Sequence, residues 1–394
     1  MKHSLDGIKV LDVTQVMAGP FCAMLLCDMG ADVIKIEPPG GDTTRHWGER
    51  PGTDSSAFNA VNRGKRGMVV DLKKPEGAEI VKRLALSCDI FIENYRPGVM
   101  KRFGLDYQNL RAENESVIYA SISGYGQTGP AAQKGGFDLI AQGVSGIMSV
   151  TGESGRSPVK AGVPLTDLGA GLFALGGVLA ALHHRTKTGV GQQIDTSLVE
   201  SGLALSIWEA TEYFDTGRTP QPFGSAHRMS APYQAFRCGD GFITIGAAND
   251  RLFLRLCQLL EHPEWANDPK YGSNAERVRN HRALADKVEA ITVRRNCSDW
   301  LELLDANGIP CGPINSYADV VEDPHMKARE MFVTTKHERL GEIRTLGTPL
   351  KLSETPLLPG RPAPLLGQHT GEILTEIGIP EELIEQLKQS GVVG

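Results

Sequence analysis

The chain has 394 residues, 41% of them hydrophobic and 22% charged, with a net charge of −6. That is enough apolar material for a large core spread over two or three domains, and an acidic balance without a basic tail argues against nucleic acid as a partner. The first thirteen residues carry no apolar h-region and run directly into a strand, so neither a signal peptide nor a membrane anchor is expected. Seven scattered cysteines (Cys22, Cys27, Cys88, Cys238, Cys257, Cys297, Cys311) form no CxxC pair and have no His at metal-ligand spacing. They read as reduced thiols of a cytoplasmic protein without a metal site.

In chain order, Lys9 to Val13 is a short apolar strand, Pro20 suits the first position of a helix through Met29, and Asp32 to Ile36 is a second strand. Gly67 to Leu72 follows as a strand. The next helix runs from Pro75 to about Ser87, with Ala78, Val81, Leu84 and Ala85 on one face. Asp89 to Glu93 and Val117 to Ser123 read as two further strands. Such alternation predicts a Rossmann-like parallel sheet with helices on both faces and ligands at the carboxyl ends of the strands. Beyond Trp208 a Pro/Gly-containing linker, Thr216 to Ser230, leads to a Tyr233 to Ile245 hairpin. Helices are expected near Asp250 to Glu261, Arg282 to Val293 and Ser298 to Asn307, and Pro356 to Gly367 reads as an extended return. The expected division is a large α/β domain over 1–224, an inserted α+β domain over 225–330, and a return to the large domain over 331–394.

Two phosphate-binding templates can be tested at the strand ends. Gly124-Tyr125-Gly126-Gln127-Thr128-Gly129 matches GxGxxG and follows a strand, but Pro130 and a loop come next, where a dinucleotide site needs a helix. The first strand-helix turn, Thr14 to Pro20, holds one glycine where that site needs three. Glu37 then reads as a surface carboxylate. Neither a P-loop nor a GxSxG elbow occurs. Lys65-Arg66, Lys73-Lys74, Arg96, Lys101 and Arg102 cluster around the strands; each alone reads as a solvated cation, and together they could hold a phosphorylated ligand.

The segment Pro164 to Gly171 sets Asp167 before fifteen uncharged residues, Leu168 to Leu182, too few to span a bilayer and too apolar to face water. Asp167 therefore belongs in the first turn of a buried helix. Taken alone, that is also the pattern of a plain N-cap, because Asp and Thr oxygens accept the unpaired amides there.

The company Asp167 keeps resembles the class III CoA-transferases, the formyl-CoA and carnitine CoA-transferase group, from about Leu5 to Val393. The resemblance rests on Val10-Leu11-Asp12 with Ala18-Gly19-Pro20, on Gly30 to Glu37, on Asn62 with Lys65-Arg66, and on Glu93 to Gly98. Gly124 to Pro130, the Asp167 segment, and Lys187-Thr188-Gly189 with Gly191-Gln192 complete it. Gly224 to His227, Pro232 to Phe236 and Pro364 to Thr370 most resemble the succinyl-CoA:glutarate branch.

The resemblance implies that Asp167 attacks an acyl-CoA and carries CoA as an aspartyl thioester to a carboxylic acid, with no permanently bound cofactor and with coenzyme A thioester as substrate. It implies an interlocked homodimer. It places CoA against Gln15, Val16 and Ala18, and against Val70, Lys73, Asn94, Tyr95, Val99 and Arg102. The loop that covers the site falls on Gly246, Ala247, Ala248 and Asn249. This loop departs from the glycine-only version of formyl-CoA transferases, which puts a formyl or oxalate substrate in doubt. Pro38-Pro39 stands where some members carry an arginine near the nucleotide.

Branch resemblance favours succinyl-CoA as donor and a dicarboxylate such as glutarate as acceptor, with Arg45, His227 and Arg228 as candidate anchors for its free carboxylate. The α-methylacyl-CoA racemases share the fold but need a His before the acid that aligns with Asp138; here Phe137 stands there and cannot move a proton. Asp138 is then a hydrogen-bonding neighbour of the site. A non-catalytic CoA-binding protein is the other alternative.

Overall fold

The computed structural model describes residues 3–48, 55–357, 359 and 361–394. Two compact units divide the chain. The first comprises Met1–Ile147, Lys160–Phe214 and Pro324–Gly394, the second Met148–Val159 and Asp215–Asp323. The second unit thus begins ten residues before the expected boundary and includes a short excursion from the first part of the chain.

The first unit is built on a parallel sheet of β1 (Lys9–Asp12), β2 (Asp32–Glu37), β3 (Arg66–Val69), β4 (Ile90–Glu93), β5 (Ile118–Ser123) and β6 (Gln193–Ser197) in the order β3-β2-β1-β4-β5-β6. The helices in this part of the chain are α1 (Ala18–Asp28), α2 (Ser56–Asn62), α3 (Pro75–Ser87), α4 (Val99–Arg102), α5 (Tyr107–Glu113), α6 (Asp138–Val144), α7 (Ile147–Val150), α8 (Leu165–Thr188), α9 (Leu198–Leu205) and α10 (Ile207–Thr216).

Both faces of the sheet are covered, which is why β1 to β5 are buried at nearly every position rather than at alternate ones. On one face Leu11, Val13, Ile34, Ile36 and Phe91 pack with α3 and with the C-terminal helices Thr370–Glu376 and Glu381–Gln389. On the other, Val10, Val33, Ile90, Ile118 and Ala120 pack with α1 and α8. Reversal of strand order between β1 and β4 opens a crevice at their carboxyl ends, and the Thr14–Met17 turn lies there.

Local signals set the elements with small differences. Pro75 starts α3 as expected, but Pro20 is the third residue of α1, since Met17 is the N-cap; proline fits anywhere in the first turn, where amides lack intrahelical partners. Strand β3 ends at Val69, and Val70 instead makes an antiparallel bridge to Val393.

Helix α8 runs 24 residues, nine longer than its uncharged stretch, and by length and composition only is long and apolar enough to cross a membrane. Here it packs against α1, α9 and two strands. It is not buried all round: Leu172 is 53% and Phe173 48% exposed, contrary to the expectation that this stretch would avoid water.

The second unit holds an antiparallel sheet of β7 (Tyr233–Arg237), β8 (Phe242–Gly246) and β9 (Cys311–Pro313). Its core joins Phe236, Ile243 and Ile245 to Phe253, Leu256 and Trp300 from the flanking helices. Back in the first unit, β10 (Phe332–His337) and β11 (Gly341–Leu346) form a separate hairpin.

Candidate active site

A pocket of about 200 Å³ opens at the carboxyl edge of the main sheet. Its lining comes from three places: the β1–α1 turn (Gln15 to Ala18), the ends of β4 and β5 (Asn94, Tyr95, Ser123, Gly124), and Gly136-Phe137 with Asp167. Two close backbone approaches build it. A Cβ at Gly124 would stand 2.7 Å from the Gly136 Cα, so the first glycine of the GxGxxG serves loop packing. A Cβ at Gly171 would stand 2.7 Å from the Ala18 carbonyl oxygen, so this glycine lets α8 bring Asp167 beside the start of α1.

Asp167 is the third residue of α8 and not its N-cap, which is Pro164. Its carboxylate accepts no hydrogen bond among the described residues. Burial, and then the negative charge of Asp138, push its pKa up to about 7. Asp138 is bound on all sides. One oxygen accepts from the Thr166 amide (3.0 Å) and hydroxyl (2.8 Å), the other from Gln142 Nε2 (2.7 Å). It thereby ties α6 to the first turn of α8.

The opposite wall is held as firmly. Asn94 Oδ1 accepts from the Gln15 amide at 2.9 Å, and its Nδ2 donates to the Gln15 carbonyl at 2.7 Å. Gln15 Nε2 donates to the Tyr95 hydroxyl at 2.9 Å. The Tyr95 amide in turn donates to Glu93, whose carboxyl burial pushes up to about 7. Helix α1 has no side-chain cap, so the Ala18 amide points to the pocket end of the helix without an intrahelical acceptor.

Behind this wall lies a network that sequence reading misplaced. Glu37 is fully buried rather than a surface carboxylate, and Arg45 grips it through Nε at 2.6 Å and Nη2 at 2.7 Å. Arg45 is fully buried too, so it cannot anchor a substrate carboxylate. Lys65 donates to Asp12 (2.8 Å), the Asn62 side chain and the Pro20 carbonyl. Lys35 bridges Asp42 (3.2 Å) and the Thr14 carbonyl (2.9 Å). Arg66 binds Asp32, Glu372 and Glu376. The cations Lys65 and Arg66, read as phosphate candidates, are thus engaged internally.

The other candidate positions divide as follows. Gln15, Val16, Ala18, Asn94, Tyr95 and Phe137 line the pocket with Asp167. Val70 is 1% exposed in the core, so its side chain cannot meet a ligand as expected. Lys73 and Arg102 are exposed and Val99 is half-buried, on the β3–α3 turn and on α4. Gly246, Ala247, Ala248 and Asn249 belong to the second unit, where Asn249 caps the Asp250–Leu259 helix. His227 and Arg228 also belong there. The His227 amide donates to the Tyr233 carbonyl, and its Nδ1 accepts from the Met229 amide; Arg228 donates to the Gln221 carbonyl.

The family model for CoA-transferase family III matches residues 5–370. The human succinyl-CoA:glutarate CoA-transferase is 41% identical over 392 residues, covering 99% of this chain and 90% of that protein. The succinate–glutarate CoA-transferase of Agrobacterium fabrum is 40% identical, covering 95% and 96%. Among solved structures, a CAIB/BAIF family protein from Brucella suis superposes with a TM-score of 0.85 at 39% identity, over 96% of this chain and all of the other.

Proposed function

The chain belongs to CoA-transferase family III, and from that premise we propose that Asp167 is the nucleophile of a succinyl-CoA-dependent transferase acting on a dicarboxylate such as glutarate. The observation that carries this reading is a carboxylate in a small pocket that, among the described residues, accepts no hydrogen bond and has no cation as partner. Such an anion is poorly solvated, hence reactive, and it is shielded from water.

In the proposed cycle an Asp167 oxygen attacks the thioester carbonyl, the C–S bond breaks, and CoA leaves as thiolate, giving a mixed anhydride. The thiolate then attacks the aspartyl carbonyl and the acid is released as carboxylate, leaving an aspartyl-CoA thioester. The acceptor carboxylate repeats these steps in reverse. The Ala18 amide at the uncapped start of α1 is suited to stabilising the oxyanion of each tetrahedral intermediate. Lys73 and Arg102 on the exposed carboxyl edge suit the phosphates of CoA.

Apolar side chains on one stretch of the first unit, among them Leu172, Phe173, Leu203, Ile207, Trp208 and Phe214, are each 48–80% exposed. Such a surface fits a second copy of the chain, so a homodimer is part of this reading. Seven free cysteines suit a reducing compartment such as the cytoplasm.

The test is intact mass and peptide mapping after mixing with succinyl-CoA. A hydroxylamine-sensitive CoA adduct on Asp167, absent in Asp167→Ala together with all exchange, supports the reading. Exchange that persists in Asp167→Ala removes it.

A further inference from the structure

Val16, which lines the pocket, has φ of +70°. Among the described non-glycine residues only Val16, Glu261 and Glu330 have positive φ, and Val16 is the β-branched one. A β-branched side chain in the left-handed region is a backbone outlier, held there only where surrounding contacts over-determine it.

Those contacts are visible. The Val16 amide turns inward and donates to Asp42, 3.1 Å to Oδ2 and 3.4 Å to Oδ1. The preceding Gln15 is clamped at both its amide and its carbonyl by Asn94, and the Thr14 carbonyl by Lys35. Asp42 is itself fully buried and immobilised. It accepts from the Thr44 amide at 3.0 Å and hydroxyl at 2.8 Å, pairs with Lys35, and its own amide donates to Glu37. The inward turn of the Val16 amide fixes how the chain enters α1, and so where Val16, Met17 and Ala18 stand opposite Asp167.

We propose that Asp42, which does not line the pocket, is a positioning residue for CoA transfer: its carboxylate holds Val16 in the left-handed conformation that shapes the acyl-CoA wall of the site. This rests on the Asp167 pocket being the site of transfer. Asp42 acts through Val16 and touches no substrate. Its influence should therefore vanish when residue 16 needs no restraint. Glycine adopts positive φ without steric cost, whereas proline is locked near −65° and has no amide to donate.

The experiment is steady-state exchange on the full-length enzyme for Asp42→Asn, Val16→Gly, the double variant, Val16→Pro and Asp167→Asn, with circular dichroism to verify folding. Strain of this class corresponds to roughly tenfold or more in a conformational equilibrium. Asp42→Asn is thus expected to lower kcat by about that factor. Val16→Gly removes a pocket side chain and serves as its own reference: the double variant should match Val16→Gly, so that Asp42→Asn lowers kcat with valine at position 16 and leaves it unchanged with glycine there. An equal kcat loss from Asp42→Asn with valine or with glycine at position 16 would overturn the proposal, since a general structural defect is not rescued that way. Should Asp42→Asn fail to fold, Val16→Pro decides, because it leaves the buried ion pair intact: loss of exchange in a folded protein supports the proposal, and wild-type kcat overturns it. Wild-type exchange in Asp167→Asn would instead bring down the pocket reading, and this proposal with it.

Discussion

Two groups of carboxylates lie close together in the first unit and are treated in opposite ways. Asp12 and Asp42, behind the β1–α1 turn, lose their water to burial, yet Lys65 and Lys35 hold both below the usual carboxylate range. Asp167 in the pocket and Glu93 behind Tyr95 lose water with no cation beside them among the described residues, and both rise to about 7. The difference lies in cation placement. Every nearby Lys and Arg behind the turn has a carboxylate partner, which keeps positive charge out of the pocket. A buried pair of this kind is costly to break, and a lone buried acid is costly to keep.

The largest effect should come from breaking a pair on the compensated side. Lys65→Ala leaves Asp12 buried and unpaired and should cost about 3–5 kcal/mol of stability, read as a lowered denaturation midpoint with an unchanged slope. Lys65→Arg would not substitute freely in the same cavity. If Lys65→Ala costs under about 1 kcal/mol, the pair is not the compensation described.

On the uncompensated side the sign reverses. The folded pKa of Asp167 lies above its unfolded value of 3.8, so the folded state binds the extra proton. Its contribution to stability therefore falls as pH rises from about 4 to about 7. Asp167→Asn, with no charge to bury, should melt higher than wild type at pH 8 and much closer to it at pH 4, while losing exchange. Equal melting shifts at both pH values would break the contrast.

The same elevation predicts that exchange rises with pH through an inflection near 7, since only the ionised carboxylate attacks. Asp138 is the second cause of that elevation after burial, so Asp138→Asn should move the inflection to lower pH. An unmoved inflection assigns the shift to burial alone.

The smallest effect belongs to exposed cations. Arg102→Ala should raise the KM for acyl-CoA with kcat unchanged, by an amount worth about 0.2–1 kcal/mol that shrinks with added salt.

Much was legible in the chain. Lys9, Asp32, Gly67, Asp89 and Val117 each open a run apolar at successive positions, and only a parallel sheet covered on both faces buries such runs, so five of the six strands and their crevice followed from pattern alone. The strand Gln193–Ser197 did not, because its sequence, QIDTS, alternates with polar residues at the sheet edge. Helix α10 and the C-terminal hairpin were not legible either: α10 buries no residue and β11 has no buried position. Asp167 stood out because a lone charge before a long uncharged run is rare in any setting.

What the sequence could not decide was the partner of each charge. Glu37 and Arg45 are eight residues apart and Asp12 and Lys65 fifty-three, and no spacing rule links either pair. The sequence determined the sheet, the helices that cover it, and the singular position of Asp167, because burial of apolar surface is written in local periodicity. Only the tertiary structure decided which cations are internal, which glycines admit a second backbone, and that Val16 is held at positive φ. Those outcomes depend on groups that meet in space after the chain has folded, and hydrogen bonds and ion pairs, unlike hydrophobic burial, exist only when a specific partner arrives.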